Sequence, residues 1–163
     1  MGLLTGLLNP KQMQIQSSIL PAVAKNEIMA SRLPQLNTDK IFLRKGEVCS
    51  YIDKAILNLR VKKRITRHNG VTMPGLFKGH RIHTGVAKPI EHEEIKQQKG
   101  ILYITNKRII FQATQNAFEK AHTSLSSIEP YSNAVILQYG TKTYELIVPD
   151  GAIVNHVIKL VNT

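Results

Sequence analysis

Lys99-Gly100-Ile101-Leu102-Tyr103-Ile104-Thr105-Asn106-Lys107-Arg108-Ile109-Ile110-Phe111 sets two short apolar runs against one polar corner. Residues 101–104 and 109–111 are too short for a helix, rich in β-branched and aromatic side chains, and flanked by turn formers, so both read as strands. A reversal at Asn106-Lys107 joins them, and asparagine there predicts the positive φ that a tight two-residue hairpin turn favours. Both faces of the hairpin are largely apolar. That places it in the interior of a sheet or barrel wall and not on its rim.

Working outward, the chain upstream alternates: Leu57, Leu59 and Val61 interleave with Asn58, Arg60 and Lys62, the period-two pattern of a strand with one wet, basic face. The Asn69-Gly70 and Pro74-Gly75 pairs predict an exposed loop over 64–75. A further strand is expected over 79–87, then a short acidic helical turn over 90–98 leading into the hairpin. Downstream, strands are expected over about 118–123, 134–138 and 143–148, with a reversal at 139–142. Asp150 is placed to N-cap a closing helix whose Val154, Val157, Ile158 and Val161 recur at steps of three and four, with Lys159 favourably near its C-terminal end. The fold class is therefore mainly β (α+β): seven antiparallel strands in a barrel or sandwich, capped by a C-terminal helix.

Residues 1–40 read differently. Met13, Ile15, Ile19 and Leu20 suggest a short helical face, and a second helix is expected over 22–33, beginning after Pro21. Pro10, Pro21 and Pro34 prevent one long helix. The expectation is a partly helical N-terminal arm over 1–40, removable by limited proteolysis from a folded domain over 41–163.

Gly100, Leu102, Tyr103, Thr105, Arg108, Ile110 and Phe111 together spell Gly-x-Leu-Tyr-x-Thr-x-x-Arg-x-Ile-Phe. This resembles the central hairpin of GRAM and bacterial pleckstrin-homology-like (PH-like) domains. Ser124-Leu125-Ser126-Ser127-Ile128 is similar to the short strand and apolar step that follow the hairpin there, and Gly46-Glu47 to a pair ahead of the first long strand. The resemblance covers about residues 41–163 and implies the seven-stranded, helix-capped architecture. For function it implies a binding module, for lipid or protein.

Composition narrows the function classes. At 163 residues with 42% hydrophobic side chains, the chain suits one core and a short appendage. Its single cysteine, Cys49, excludes an intramolecular disulfide or thiolate cluster and points to a reduced, cytoplasmic setting, with peripheral membrane association open to it. No run approaches the roughly 18 apolar residues of a spanning helix. Gly2 begins like a myristoylation signal, but residue 6 is glycine where that motif takes Ser or Thr. Nucleophile, base and metal-ligand sets do not assemble, so no enzyme and no cofactor are expected. His80 and His83 would project to opposite faces of a strand, which argues against a shared ion. Tyr103 and Phe111 read as core aromatics. Arg108, beside the hairpin turn, is left open between a solvated and a binding role.

Charge is the strongest compositional signal: 22 basic against 11 acidic residues give +11. Between Asp53 and Glu91 there is no carboxylate, while Lys54, Arg60, Lys62, Lys63, Arg64, Arg67, Lys78, Arg81 and Lys88 contribute nine positive charges. The excess is local. Arg60, Lys62, Lys63, Arg64, Arg67, Lys78 and Arg81 are accordingly the candidate site for an anionic partner. In PH-like domains that bind phosphorylated headgroups, the loop between the first two strands carries such residues, although the spacing here departs from theirs. The partner expected is an anionic membrane surface or an acidic protein. Nucleic acid is the alternative for the same patch, and a protein-interaction or structural module docking through the arm or closing helix is the other.

Overall fold

The computed structural model describes residues 15, 17–67, 71–74, 81–84 and 88–163, with side chains described outside 63–91. Those residues form two compact units, one comprising the chain up to Leu59 together with Gln97–Thr163, the other Arg60–Lys96.

The strands are β1 (Cys49–Arg67), β2 (Val71–Pro74), β3 (Arg81–Thr84), β4 (Lys88–Thr105), β5 (Arg108–Gln112), β6 (Phe118–Ala121), β7 (Ser127–Pro130), β8 (Ala134–Tyr139) and β9 (Lys142–Ile147). Helix α1 is Ala22–Met29 and α2 is Gly151–Val161. Seven strands make one antiparallel sheet in the order β6-β5-β4-β1-β9-β8-β7, and β2 pairs with β3 apart from it. Seven strands and a C-terminal helix are the architecture expected from the sequence. The membership differs by one: the strand expected near 79–87 is β3, outside the main sheet, and β7 takes the seventh place.

The central hairpin is as its sequence predicts in register and position. Leu102 faces Phe111 and Ile104 faces Ile109, with the reversal at Asn106-Lys107. Leu102, Ile104, Ile109 and Phe111 enter the main core with Tyr51, Leu57, Leu137, Leu146 and the buried face of α2. Tyr103 and Ile110 point the other way, into a smaller cluster with Cys49 that is covered by Ile41, Leu43, Ile52 and Ile101. Both faces are buried, and Tyr103 and Phe111 are core aromatics. At Gly100 a Cβ would stand 2.4 Å from the Gln112 carbonyl oxygen and 2.7 Å from the Phe111 ring, so this strand position admits only glycine.

Four local expectations are corrected. Asn106 does not adopt positive φ; among the described residues, Ser31 and Asn116 are the non-glycine ones that do. Its side chain instead accepts from Val48 N at 2.8 Å and donates to the Gly46 carbonyl at 3.0 Å, so asparagine serves here as a staple to a distant segment. Residues 90–98 are strand, not a helical turn: β1 is 19 residues long, and its exposed backbone groups take β4 as partner, which outweighs the helix propensity of Glu, Lys and Gln. Arg64–Arg67 and Val71–Pro74 are strand where a loop was expected: in sequence the Asn69-Gly70 pair falls between the two strands, and Pro74 is the last residue of β2, opposite Arg81. Finally, residues 15 and 17–20 carry no helix and α1 stops at Met29, where Ser31 enters the left-handed region at φ 60°.

The closing helix follows its sequence. Asp150 accepts a hydrogen bond from Ala152 N at 3.0 Å, and Val154, Val157 and Ile158 are buried. Ahead of the sheet, Ile28 of α1 is completely buried in the main core. The carboxylate of Asp53, itself buried, accepts from Ile19 N at 2.8 Å and from the Ser18 hydroxyl. Leu36 bridges Cys49 as an isolated antiparallel pair.

Candidate binding surface

Arg60 and Lys62 lie two apart on β1, so they share one face of the strand, and both are exposed as the alternation predicts. Arg60 meets Glu93 of β4 at 3.4 Å, with about half of each side chain exposed. Pairing β1 with β4 thus brings acidic residues of the next strand beside the first of the basic ones, which their separation in sequence conceals. Lys63, Arg64 and Arg67 lie on the continuation of β1, and Arg81 on β3 opposite Pro74; their side chains, and Lys78 and His80 altogether, lie outside the described residues. His83 is on β3 opposite Thr72. Asn58, expected on the wet face with Arg60, is buried, where it donates to Glu145 at 3.3 Å and accepts from Gln97 at 2.9 Å.

The charged group that sequence reasoning could not place, Arg108, is neither solvated nor available. Its Nε and one terminal nitrogen bond both oxygens of Glu47, at 2.8 and 2.9 Å; the other terminal nitrogen meets Glu119 at 2.8 Å; and it donates to the Phe42 carbonyl at 2.5 Å. Thr105 adds a hydroxyl donor to Glu47 at 2.7 Å, and Arg44 a backbone N–H at 2.8 Å. Burial pushes the Glu47 carboxyl up, but the bonds from Arg108, Arg44 and Thr105 outweigh it and hold the group down at about 2. Arg108, in turn, is raised by its bond to Glu47 and stays charged. Three residues of the hairpin pattern and its upstream pair, Thr105, Arg108 and Glu47, therefore lock the segment before β1 onto the hairpin turn. Their signal was in the sequence, but only as two motifs about sixty residues apart.

Elsewhere in the first unit, a cleft of about 360 Å³ is lined by Ile15, Ser17, Lys54, Ile56, Lys99 and Gly100, with the Lys54 ammonium donating to the Ser17 hydroxyl at 3.0 Å. Burial pushes the Cys49 thiol up to about 11, so it is a packing group and not a ready thiolate. Among the described residues, no three His, Cys, Asp or Glu gather as a metal set, and no helix is long and apolar enough to cross a membrane.

No family model and no curated protein matches the chain. Among solved structures, it is similar to one described as "Vps36 N-terminal PH domain", at 16% identity and a TM-score of 0.45, over 80% of this chain and 90% of that one. A likeness of that degree concerns the course of the backbone and assigns no residue a role.

Proposed function

We propose that the chain is a non-enzymatic binding module of the PH-like, GRAM-related kind, and that Arg60, Lys62, Lys63, Arg64, Arg67, Lys78 and Arg81 form a basic edge for an anionic partner, a membrane surface or an acidic protein. The observation that carries this reading is the shared exposed face of Arg60 and Lys62 on a strand that continues into Lys63, Arg64 and Arg67. Support comes also from Arg108 and Glu47, which are engaged with each other, so that Arg108 is no rival site for the anion. Binding is adhesion without turnover. Near an anionic bilayer each Lys or Arg contributes about 1 kcal/mol, so four or five of them give weak, salt-sensitive attachment.

Sedimentation with neutral and with anionic vesicles at low and high salt, beside a nucleic-acid mobility shift, tests it. Binding to anionic vesicles that weakens with salt and is lost on reversing Lys62, Lys63 and Arg64 is the expected result. A mobility shift without vesicle binding assigns the edge to nucleic acid, with log affinity falling linearly in log salt. A second reading, docking of a protein on the N-terminal segment, is favoured by one observation: a cleft of about 450 Å³ lined by Pro21, Val23, Leu33 and Pro34, where Val23 is 71% exposed.

A further inference from the structure

Phe42 is 88% exposed. An exposed phenyl ring on a loose loop would mean little, but this one is held out by its surroundings. Residues 41–44 alternate: Ile41 and Leu43 turn inward onto the cluster of Cys49, Tyr103 and Ile110, which leaves Phe42 and Arg44 facing solvent. The backbone is fastened on both sides of the ring. The Lys40 carbonyl accepts from Gln112 at 2.9 Å, the Phe42 carbonyl from Arg108 at 2.5 Å, the Lys45 carbonyl from Lys107 Nζ at 2.8 Å and the Gly46 carbonyl from Asn106 at 3.0 Å. The buried Arg108–Glu47 pair thus presents an apolar side chain to water at a fixed place. Exposed cations accompany it: Lys40, Arg44, Lys45 and Lys107, against the exposed carboxylates Asp39 and Glu119, of which Glu119 is paired with Arg44 at 3.0 Å.

We propose that Phe42 is a membrane anchor that enters the interfacial layer of an anionic bilayer while Lys40, Arg44, Lys45 and Lys107 remain among the headgroups. The setting of the ring favours a lipid layer over a protein groove. A desolvated protein interface centres on a cluster of packed apolar side chains, and here the apolar chain neighbours of the ring, Ile41 and Leu43, turn inward, while the exposed residues beside it in sequence, Lys40, Arg44 and Lys45, are charged. Long cationic side chains beside an aromatic suit a boundary where stems lie in an apolar phase and heads in a wet, negative one. The proposal rests on the anionic-surface reading above and deepens it, since it chooses the lipid and adds a contact separate from the basic edge.

The chain contains no tryptophan, so Phe42→Trp supplies a single fluorescent reporter in the full-length protein. Phosphatidylcholine vesicles containing phosphatidylserine should shift its emission to the blue, brominated acyl chains should quench it, and vesicles of phosphatidylcholine alone should do neither. Phe42→Ala should lower partitioning about tenfold with the unfolding midpoint unchanged, as removal of one buried aromatic from the interface requires. Unchanged Phe42→Trp emission on vesicles that the wild type still binds overturns the anchor and leaves the basic edge standing. Vesicle binding that survives reversal of Lys62, Lys63 and Arg64 but falls with Phe42→Ala supports the anchor and removes the edge. A blue shift produced by polyglutamate and not by vesicles overturns the anchor in favour of a protein partner, and a wild type that binds no vesicle overturns the anchor together with the membrane reading of the edge.

Discussion

Arg108 and Arg60 each stand on a strand and each face a glutamate, but the two pairs live in different media. The Arg108 side chain is 9% exposed and its Glu47 partner 0%, with contacts of 2.8 Å; Arg60 and Glu93 are 48% and 51% exposed and meet at 3.4 Å. In the first pair, water has been replaced by a fork of hydrogen bonds that satisfies both oxygens of the carboxylate, and neither group retains capacity for an outside ligand. In the second, water competes with the contact, screens it, and leaves both groups open to exchange partners. The same residue types thus hold a segment in place in one region and offer a surface in the other. Burial, and not charge, makes the distinction.

The sharpest way to break this comparison is Arg108→Met, which strands a carboxylate in the protein. A loss of about 3–5 kcal/mol is expected in urea unfolding, against under about 1 kcal/mol for Arg60→Met. Equal effects would mean that the two pairs are equivalent after all. Next in size is Ile28→Ala, which should cost about 2–5 kcal/mol because the side chain is completely buried in the main core. By the same packing, cutting away residues 1–40 should abolish cooperative unfolding. A remainder over 41–163 that still melts in one sharp transition would establish the arm as an independent appendage.

Acid sharpens the contrast further. Because the folded state holds Glu47 at about 2 against an ordinary 4.5, its contribution is complete above pH 4.5 and is lost as pH falls toward 2. Glu47→Gln should flatten that part of the stability curve. His122, whose Nε2 lies 2.7 Å from the Thr105 carbonyl oxygen, has its pKa lowered below 6.5 by burial, which that bond only partly offsets. The unfolded chain therefore takes up its proton first. Stability should decline as pH falls through 6.5 and level off below the folded value, and His122→Gln should remove that step. The smallest effect belongs to the basic edge: reversing Lys62, Lys63 and Arg64 should alter stability by under about 0.5 kcal/mol per site while abolishing vesicle binding. A large loss of stability would show that these strand positions serve the fold.

Much of the architecture was legible because it is written locally. The hairpin position follows from two apolar runs and a polar corner, and the Asp150 cap from a carboxylate one step before a helical apolar stripe. The acidic stretch over 90–98 misled because its side chains favour a helix, while the strand it forms answers the need of β1 for a partner. The candidate site was legible as a charge distribution, and Arg60 and Lys62 are exposed as their alternation requires. Its neutralising neighbour Glu93 was not, since that depends on which strand lies alongside.

By itself, then, the sequence determined where the chain reverses, which strands carry apolar faces and where the last helix begins, because turn chemistry and side-chain periodicity act over a few residues. Tertiary structure alone decided that Arg108 and Glu47 would find each other across 61 positions, that Asn58 would be buried beside Glu145 and Gln97, and that Phe42 would be held in water. The reason is desolvation. Whether a side chain binds inward or faces a partner depends on what covers it, and the covering segment comes from elsewhere in the chain.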